Sequence, residues 1–578
     1  MLGSIVSFVP NAHEIGPPPK DVPPAVPIKL PKISSQLSDA NSHPSLVHFL
    51  QKLQRPNELR ESHFAALGLQ MHADAPPEDV IPDPSFLPVP SEWVGVDLDE
   101  ARRRDPTFRR TLSNGRLSPE ARVFIDRRAE LSIPNQSAFR TIRRIKPEPG
   151  TQAPRLGNCY EFYRQMELMA QYWDDTSLPP LSTENEDESQ PTDSNSEPPA
   201  ASSSSENPEA KPKAPERVTY RTNSGAIMPA EFRHNLISSF VKLVAYDFGC
   251  NVIPPRVEPR LQLLSPAFKE VSKSGVRYHP QVASYFPSGC VFLCKSLMTR
   301  EAARAGIVEG PIAAVSARNT INFPTSAEAN LDFGRELVAA LITAQHRARE
   351  GQPEKRFGEG KWWATEKRWG GGEGGPIGRE IDGDPIVGDK DSAGSNPEES
   401  DGVKPVPVPE TTNATREIKV GNKTVHIPVR GQPVSKKPRK NLSIYDSYRM
   451  VRLPSTNWDR KTKYAAVGKI PGADFDDVFV LSSLFHHLCV IRVRVPNRLL
   501  EVFAGAPDAY VKTESGEKAR SWGKLEVWRS KWYDLFIVEE RLEAMRLLWG
   551  MMAYVMRTED ESGSGGAKAD EDVAMKNA

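Results

Sequence analysis

The chain has 578 residues, and its 75 basic and 75 acidic side chains give a formal net charge of zero. This balance excludes the strong overall positive charge of proteins whose whole surface binds nucleic acid or acidic membranes. The 53 prolines and a hydrophobic share of only 38% predict a folded core interrupted by long segments that bury too little surface to fold. Five cysteines, no apolar leader and no run of about 18 apolar residues predict an intracellular chain without a membrane span.

Composition divides the chain into folded and unfolded regions. We expect a disordered proline-rich arm (1–44), a helical and arginine-rich region (45–175), a disordered acidic linker (176–216), a first core block (217–378), a disordered linker (379–415), a second core block (416–556) and a disordered acidic tail (557–578). Each block alone has too few strands to close a sheet. The predicted fold is therefore α+β and predominantly helical, with one composite core formed by both blocks.

Capping residues and apolar spacing predict helices before and inside the first block. Two short helices are expected over 45–54 and 57–67, and a third over 158–173. Thr325 and Glu328 form a capping box that opens a longer helix. Its expected apolar stripe is Leu331, Gly334, Val338, Leu341, Gln345 and Ala348.

Strands are predicted from short apolar runs and turn residues. The runs 290–293 and 312–315 lie between Gly and Pro residues, which favours buried strands over helices of that length. The stretch 417–429 has two β-rich runs joined by Gly421 and Asn422, which is typical of a hairpin with a two-residue loop.

The second block supplies the strongest helical pattern. Apolar residues recur every three or four positions over 524–556, which predicts one amphipathic helix of about nine turns. A shorter helix is expected around 478–485. After it, alternation over 489–495 predicts a half-buried strand that Pro496 ends.

Motifs for cofactors and metals are incomplete. The stretch 358–361 resembles a phosphate-binding loop, but Lys355 and Trp362 occupy the positions of a required Gly and a required Ser or Thr. The candidate zinc ligands are Cys250, His279, Cys290 and Cys294. They lack the close pairs of structural zinc sites, so we expect the cysteines to be buried free thiols. We predict no cofactor, no metal and no catalytic residue.

His486 and His487 are the best candidates for catalysis, with Asp476 and Asp477 about ten residues earlier. On a helix, neighbouring side chains point about 100 degrees apart, so the two histidines would not share one task. At most one could act as a base oriented by a carboxylate. We favour one packed and one solvent-facing histidine.

The segment 101–155 has thirteen Arg and one Lys against five acidic residues, a local net charge of +9. Such a segment could bind a phosphate backbone. Its few aromatic residues argue against stacking on bases. We therefore favour a solvated, partly disordered segment or one that pairs with the acidic linker, and keep nucleic-acid binding as an alternative.

Two short groups point to partners. Four basic residues around a proline resemble a nuclear-import signal, namely Lys436, Lys437, Arg439 and Lys440. Three indoles among glycines predict an irregular strap, formed by Trp362, Trp363 and Trp369. We favour a strap that packs on its own protein, and the alternative is an exposed surface that binds a partner.

Function is therefore predicted by class only. The favoured hypothesis is a non-enzymatic interaction or scaffold protein inside the cell, in the nucleus rather than the cytoplasm, with a protein partner and no membrane. The first alternative is an enzyme with an unrecognised site between the two blocks. The second is nucleic-acid binding through 101–155.

Overall fold

The computed structural model describes residues 22–24, 26–32, 45–53, 58–89, 100, 110–179, 217–253, 259–266, 268–272, 275–279, 283–296, 307–318, 320, 323–350, 416–420, 423–427, 463–508, 510–512 and 518–558. The chain forms two compact units. The first comprises Met1–Ile377 with Pro454–Ala578, and the second is Gly378–Leu453.

The helices within these ranges are α1 (Leu46–Leu50), α2 (Glu61–Ala66), α3 (Pro77–Val80), α4 (Ala121–Leu131), α5 (Asn135–Arg143), α6 (Tyr160–Met169), α7 (Ala230–Ala245), α8 (Ser326–Arg347), α9 (Asn497–Phe503) and α10 (Val538–Val555). None of these helices has the length and hydropathy needed to cross a bilayer.

The strands are β1 (Leu69–Ala75), β2 (Cys250–Ile253), β3 (Arg260–Leu264), β4 (Phe268–Ser272), β5 (Gly275–His279), β6 (Ala283–Pro287), β7 (Val291–Lys295), β8 (Ile307–Glu309), β9 (Ala313–Arg318), β10 (Arg416–Val420), β11 (Lys423–Ile427), β12 (Lys463–Ala465), β13 (Phe475–Leu484), β14 (His487–Pro496), β15 (Tyr510–Lys512), β16 (Lys518–Arg520), β17 (Leu525–Ser530) and β18 (Tyr533–Asp534).

A mixed sheet organises the first unit, in the order β1-β17-β14-β13-β9-β7-β2, with β18 beside the start of β14. The β1–β17 and β9–β13 pairs are parallel, and the other pairs on this path are antiparallel. Strands from both predicted blocks join this sheet, and the N-terminal region adds β1. The α+β class is confirmed, but the predicted predominance of helix is not, because the structure is only 39% helical.

The central strand β13 replaces the helix predicted over 478–485, so that prediction was wrong. Nine of its ten residues are buried, because helices cover both faces of the sheet. A strand buried on both faces loses the alternation that identifies strands in sequence. The strand predicted over 489–495 is confirmed as β14, which ends at Pro496, although it too is mostly buried on both sides rather than half-buried.

The single helix predicted over 524–556 was also wrong in its first part, which forms β17 and β18. Leu525, Val527 and Arg529 are buried on one side of β17, which shows the period of a strand. The intervening Trp528 completed an apparent helical spacing with Leu525 and Trp532. The second part is confirmed, since α10 covers Val538–Val555.

Two helical layers enclose the sheet. The α8 helix packs on β9, β13 and β14, whereas α7 and α10 pack on strands of the opposite face and on each other. Side chains along β13 point alternately toward these two helical layers. Ser482 faces α8, whereas Phe479 contacts Tyr554 of α10 with 6.3 Å between ring centroids. Helices α4, α5 and α6 pack outside α7 and α10.

The predicted N-terminal helices and the cap of α8 are confirmed with shifted ends. Helices α1, α2 and α6 lie within the predicted 45–54, 57–67 and 158–173. The Thr325 hydroxyl accepts a hydrogen bond from the backbone N–H of Glu328. The α8 helix is buried on nearly all sides, however, so its predicted stripe describes only part of its buried surface.

The short strands predicted over 290–293 and 312–315 are confirmed as β7 and β9. In the second unit, β10 and β11 pair antiparallel, with Val420 opposite Lys423. This register confirms the predicted hairpin and its two-residue connection. The predicted disordered arm, linkers and tail lie mostly outside the described residues.

Candidate functional site

The two histidines predicted on a helix lie at the turn of the β13–β14 hairpin. Leu484 pairs with His487, so Phe485 and His486 form the connection. Phe485 has φ +53°, a left-handed conformation that is rare for a bulky side chain. The turn places the His486 and His487 rings side by side, with 4.3 Å between their centroids.

Asp534 completes this group, which we call the His–His–Asp cluster (His486, His487 and Asp534). The short strand β18 pairs with the start of β14 and places Asp534 directly opposite His487. The Asp534 Oδ2 atom lies 3.9 Å from His486 Nε2 and 3.8 Å from His487 Nε2. It also accepts a hydrogen bond of 2.6 Å from the Thr176 hydroxyl, and Oδ1 accepts one of 2.9 Å from the backbone N–H of Phe536.

Burial controls the charges in this cluster. Removal from water lowers the pKa of His486 well below its ordinary value, and the neighbouring His487 lowers it further. Burial also lowers the pKa of His487, although Asp534 and Glu540 oppose the shift. The pKa of Asp534 is raised by burial, against the opposing effect of His487. At neutral pH both imidazoles are therefore uncharged and keep a lone pair.

The sequence-based view of these histidines was wrong in two respects. Asp476 and Asp477 lie near the opposite end of β13 from the hairpin turn, and the carboxylate at the histidines is Asp534. The argument that adjacent residues diverge applies to a helix, whereas the hairpin turn brings both rings together. No local signal identifies Asp534, because its position depends on the pairing of β14 with β18.

Asp476 instead binds Arg347, near the C-terminal end of α8. The Arg347 Nε and Nη2 atoms lie 2.7 Å and 2.9 Å from the two carboxylate oxygens of Asp476. Arg347 Nη1 donates to the carbonyl of Val467 at 2.6 Å and to that of Pro311 at 3.3 Å. Both charged side chains are buried. One guanidinium thus joins α8, β13 and the segment that follows β12.

A second buried ionic group lies between α8 and the sheet. Arg318 Nε is 2.6 Å from Asp332 Oδ1, and Arg318 Nη1 contacts Glu336 and the Ser482 hydroxyl. Burial, opposed by Arg318, raises the pKa of Asp332 to about 6. The charged residues of α8 resemble a solvent-facing side in the sequence, and only their contacts with β9 and β13 show otherwise.

A polar cleft of about 900 Å³ opens beside this part of the fold. It is lined by residues of both predicted blocks, including Lys295, Glu309 and Glu350 from the first and Lys469 and Asp474 from the second. Lys295 Nζ forms an ion pair of 2.8 Å with Glu309. The histidines do not line this cleft.

Part of the arginine-rich segment is folded into α4 and α5. The expectation of a solvated segment is wrong for Arg127 and Arg143, which pair with carboxylates of the folded unit, whereas Arg122 and Arg128 of α4 are exposed. Arg127 Nη2 lies 3.0 Å from Asp247 Oδ1. Arg143 Nη2 lies 2.6 Å from Glu167 Oε1. These arginines neutralise carboxylates of α6 and of the end of α7.

The cysteines are free thiols, as predicted: Cys159, Cys250, Cys290 and Cys489 are buried and Cys294 is partly buried. Burial raises the pKa of Cys250 and Cys294 to about 12. The basic run Lys436, Lys437, Arg439 and Lys440 and the tryptophans Trp362, Trp363 and Trp369 lie outside the described residues, so their predicted roles stay predictions.

Comparison with known proteins gives no match to a protein-family model, to a curated protein or to a solved structure.

Proposed function

We propose that the chain is a non-enzymatic intracellular interaction protein, in which the described part of the first unit is a frame and the 351–462 segment, which includes the second unit, binds a protein partner. The observation that carries the proposal is the Arg347 contact. Arg347 lies just before this segment in the chain, and Val467 lies just after it. The Arg347 Nη1 atom donates a hydrogen bond of 2.6 Å to the carbonyl oxygen of Val467. The frame therefore holds both ends of the segment together.

The positive charge of Arg347 has two kinds of partner, the carboxylate of Asp476 and the carbonyl oxygen of Val467. Two parallel hydrogen bonds to Asp476 fix the guanidinium plane. Removal of one partner alone would leave a buried charge without compensation, which is costly. The parallel pairing of β12 with β8 holds the returning end a second time.

The presented segment contains the two sequence groups that favour partners. Under this proposal Trp362, Trp363 and Trp369 form the exposed binding surface that was the alternative to a strap packed on its own protein, and tryptophan is enriched at the centres of protein interfaces. Lys436, Lys437, Arg439 and Lys440 support a nuclear location.

Replacement of 352–461 by a Gly/Ser linker of about 15 residues tests this proposal, since such a linker has a root-mean-square reach of roughly 20 Å. We expect the frame to keep its Tm and to lose a protein that co-purifies with the full chain under nuclease treatment. A control with exposed aromatics changed elsewhere, Tyr160→Ala and Tyr246→Ala, should keep that protein. Retention of the partner after replacement would contradict the proposal.

Nuclear location is tested by replacing the four basic residues of 436–440 with Ala in the full chain. A tagged protein is expected to move toward the cytoplasm, because import receptors bind accessible basic stretches. The control replaces the same number of exposed basic residues elsewhere with Ala, namely Arg116, Arg122, Arg128 and Arg155. An unchanged distribution would remove the support for a nuclear role.

The cleft favours a second candidate, an enzyme with a site between the two blocks. Its volume of about 900 Å³ lies within the usual range of small-molecule sites. Lys469 and Asp474 supply a cation and a carboxylate from one loop. Lys469→Ala and Asp474→Asn should abolish binding of any small molecule found with the native protein, and should leave the protein partner bound if the scaffold proposal is correct.

A further inference from the structure

We propose that the His–His–Asp cluster binds one divalent first-row transition metal ion, with Zn²⁺ as the reference ion. Two imidazoles and one carboxylate form a donor set that zinc and related ions accept. No residue of this site belongs to the 351–462 segment, so failure of the scaffold proposal would leave the metal-site proposal unchanged, and the reverse also holds.

The distances suit one ion. A tetrahedral zinc ion with bonds of about 2.0 to 2.2 Å to nitrogen and oxygen places its ligand atoms about 3.3 to 3.6 Å apart. The two separations from Asp534 Oδ2, 3.8 Å and 3.9 Å, are longer than this by only a few tenths of an ångström. One ligand atom from each of the three residues can be chosen so that all lie within 4.8 Å of one another. Small rotations of the two rings would bring all three atoms onto one ion.

Unsatisfied nitrogen atoms point to the same conclusion. His486 is only 3% exposed, and the Nδ1 atoms of both histidines are buried without a hydrogen-bond partner among the described residues. The Nε2 atoms face Asp534 at distances too long for a hydrogen bond. An ion at Nε2 would give a partner to the two nitrogens that converge on Asp534, whereas the Nδ1 atoms are not directed at the ion and do not support its presence.

The surroundings fix the carboxylate as they do in metal sites. Asp534 Oδ1 is held by the backbone N–H of Phe536, and Oδ2 receives the Thr176 hydroxyl. Such hydrogen bonds to a ligating carboxylate orient it and tune its affinity. The backbone N–H of Asp534 donates to Glu540 Oε2 at 2.6 Å, which places a further carboxylate beside the cluster.

Backbone geometry supports a built site. Phe485 is the first residue of the two-residue hairpin connection, where a positive φ is the usual geometry of a tight turn. This turn leaves the two rings side by side. Trp173 and Phe536 pack against His486, with 5.9 Å and 4.8 Å between ring centroids, and restrict its ring. The side chain of His487 is 16% exposed and gives an ion its route from solvent.

An ion here would join two parts of the fold. The hairpin turn supplies the histidines, and β18 supplies Asp534 immediately before α10 begins. Three protein ligands leave one position of a tetrahedral ion for water or a further ligand. The ion would therefore stabilise the folded chain and keep an exchangeable position on the side of His487.

The test uses the full chain, stripped with a chelator and then titrated with Zn²⁺ and, for its visible spectrum, with Co²⁺. We expect one ion more per wild-type chain than per His487→Ala or Asp534→Asn chain, with affinity lowered about 100-fold or more in each variant. Zn²⁺ should raise the Tm of the wild type alone. Mg²⁺ should not compete, because it prefers oxygen ligands.

Asp534→Asn keeps the size of the side chain and its bond to the Phe536 N–H, so the variant separates metal binding from folding. The matched control is His72→Ala, whose partly buried ring stacks on Trp528 away from the cluster. It should bind both ions like the wild type. Equal stoichiometry and affinity in wild type, His487→Ala and Asp534→Asn, or no binding by the wild type, would overturn the proposal.

Discussion

The two faces of the central sheet are held by different physical forces. The face toward α10 contains an aromatic cluster in which Trp549 is 1% exposed and meets Phe124 and Phe248 edge to face, at 5.1 Å and 5.2 Å between centroids. The face toward α8 contains buried charges that pair across the interface, such as Arg347 with Asp476.

Because the two faces differ in this way, substitutions on each face should change the stability of the fold for different reasons. Apolar packing depends on filled volume and tolerates changes of pH and salt. Buried ion pairs depend on both partners being present, because the cost of removing each charge from water is large. The α10 face should therefore be sensitive to side-chain volume, and the α8 face to the loss of one charge.

The largest effect is expected for Trp549→Ala. Truncation of a large buried aromatic residue leaves a cavity and should lower the free energy of unfolding by about 3 to 5 kcal/mol. Urea unfolding of the purified chain measures this loss. Tyr246→Ala, at a side chain that is 54% exposed, is the control and should change stability by less than about 0.5 kcal/mol. Similar losses in both variants would contradict the assignment of Trp549 to the core.

A smaller loss, of about 3 kcal/mol, is expected for Asp476→Ala, which leaves the Arg347 charge buried without its carboxylate. The double variant Arg347→Met with Asp476→Leu should recover most of that loss, because both charges are removed together. Urea unfolding of the single variants Arg347→Met and Asp476→Leu and of the double variant gives the coupling. Additive losses would show that the α8 face behaves like the apolar face.

The smallest effect concerns pH. Because the pKa of Asp332 is raised to about 6 in the folded chain, the folded state binds more protons than the unfolded state between roughly pH 4 and 6. This carboxyl therefore contributes stability at low pH that is lost as pH rises through about 6. Relative to Asp332→Asn, the wild type should lose about 1 kcal/mol between pH 5 and 7. Parallel pH profiles of the wild type and the variant would contradict this assignment.

Sequence reasoning identified elements whose signals are local. The cap at Thr325, the strand ending at Pro496 and the hairpin at 417–429 depend on residues within a few positions of one another. It failed where tertiary contacts decide. Because β13 is buried on both faces, its sequence does not alternate between apolar and polar residues. In β17, Trp528 lies three positions after Leu525 and four before Trp532, which is the spacing expected of a helix.

The candidate site was found only in part for the same reason. The two histidines stood out because they are adjacent in the sequence. Asp534 comes to them through strand pairing, as Arg318 comes to Asp332. These contacts join residues with no shared local pattern, so only the folded chain reveals them.

The order of strands has a consequence for synthesis on the ribosome. The sheet is built around β13, yet its parallel neighbour β9 ends more than 150 residues earlier in the chain. At about 5 to 20 residues per second, β9 and β7 would wait roughly 10 to 30 s before β13 is made. During that interval β9 exposes an unpaired edge and apolar faces, which are the features that chaperones bind and that lead to aggregation. We therefore expect newly made chains truncated before β13 to be clients of chaperones, and the full chain to be released from them once β13 and β14 are complete.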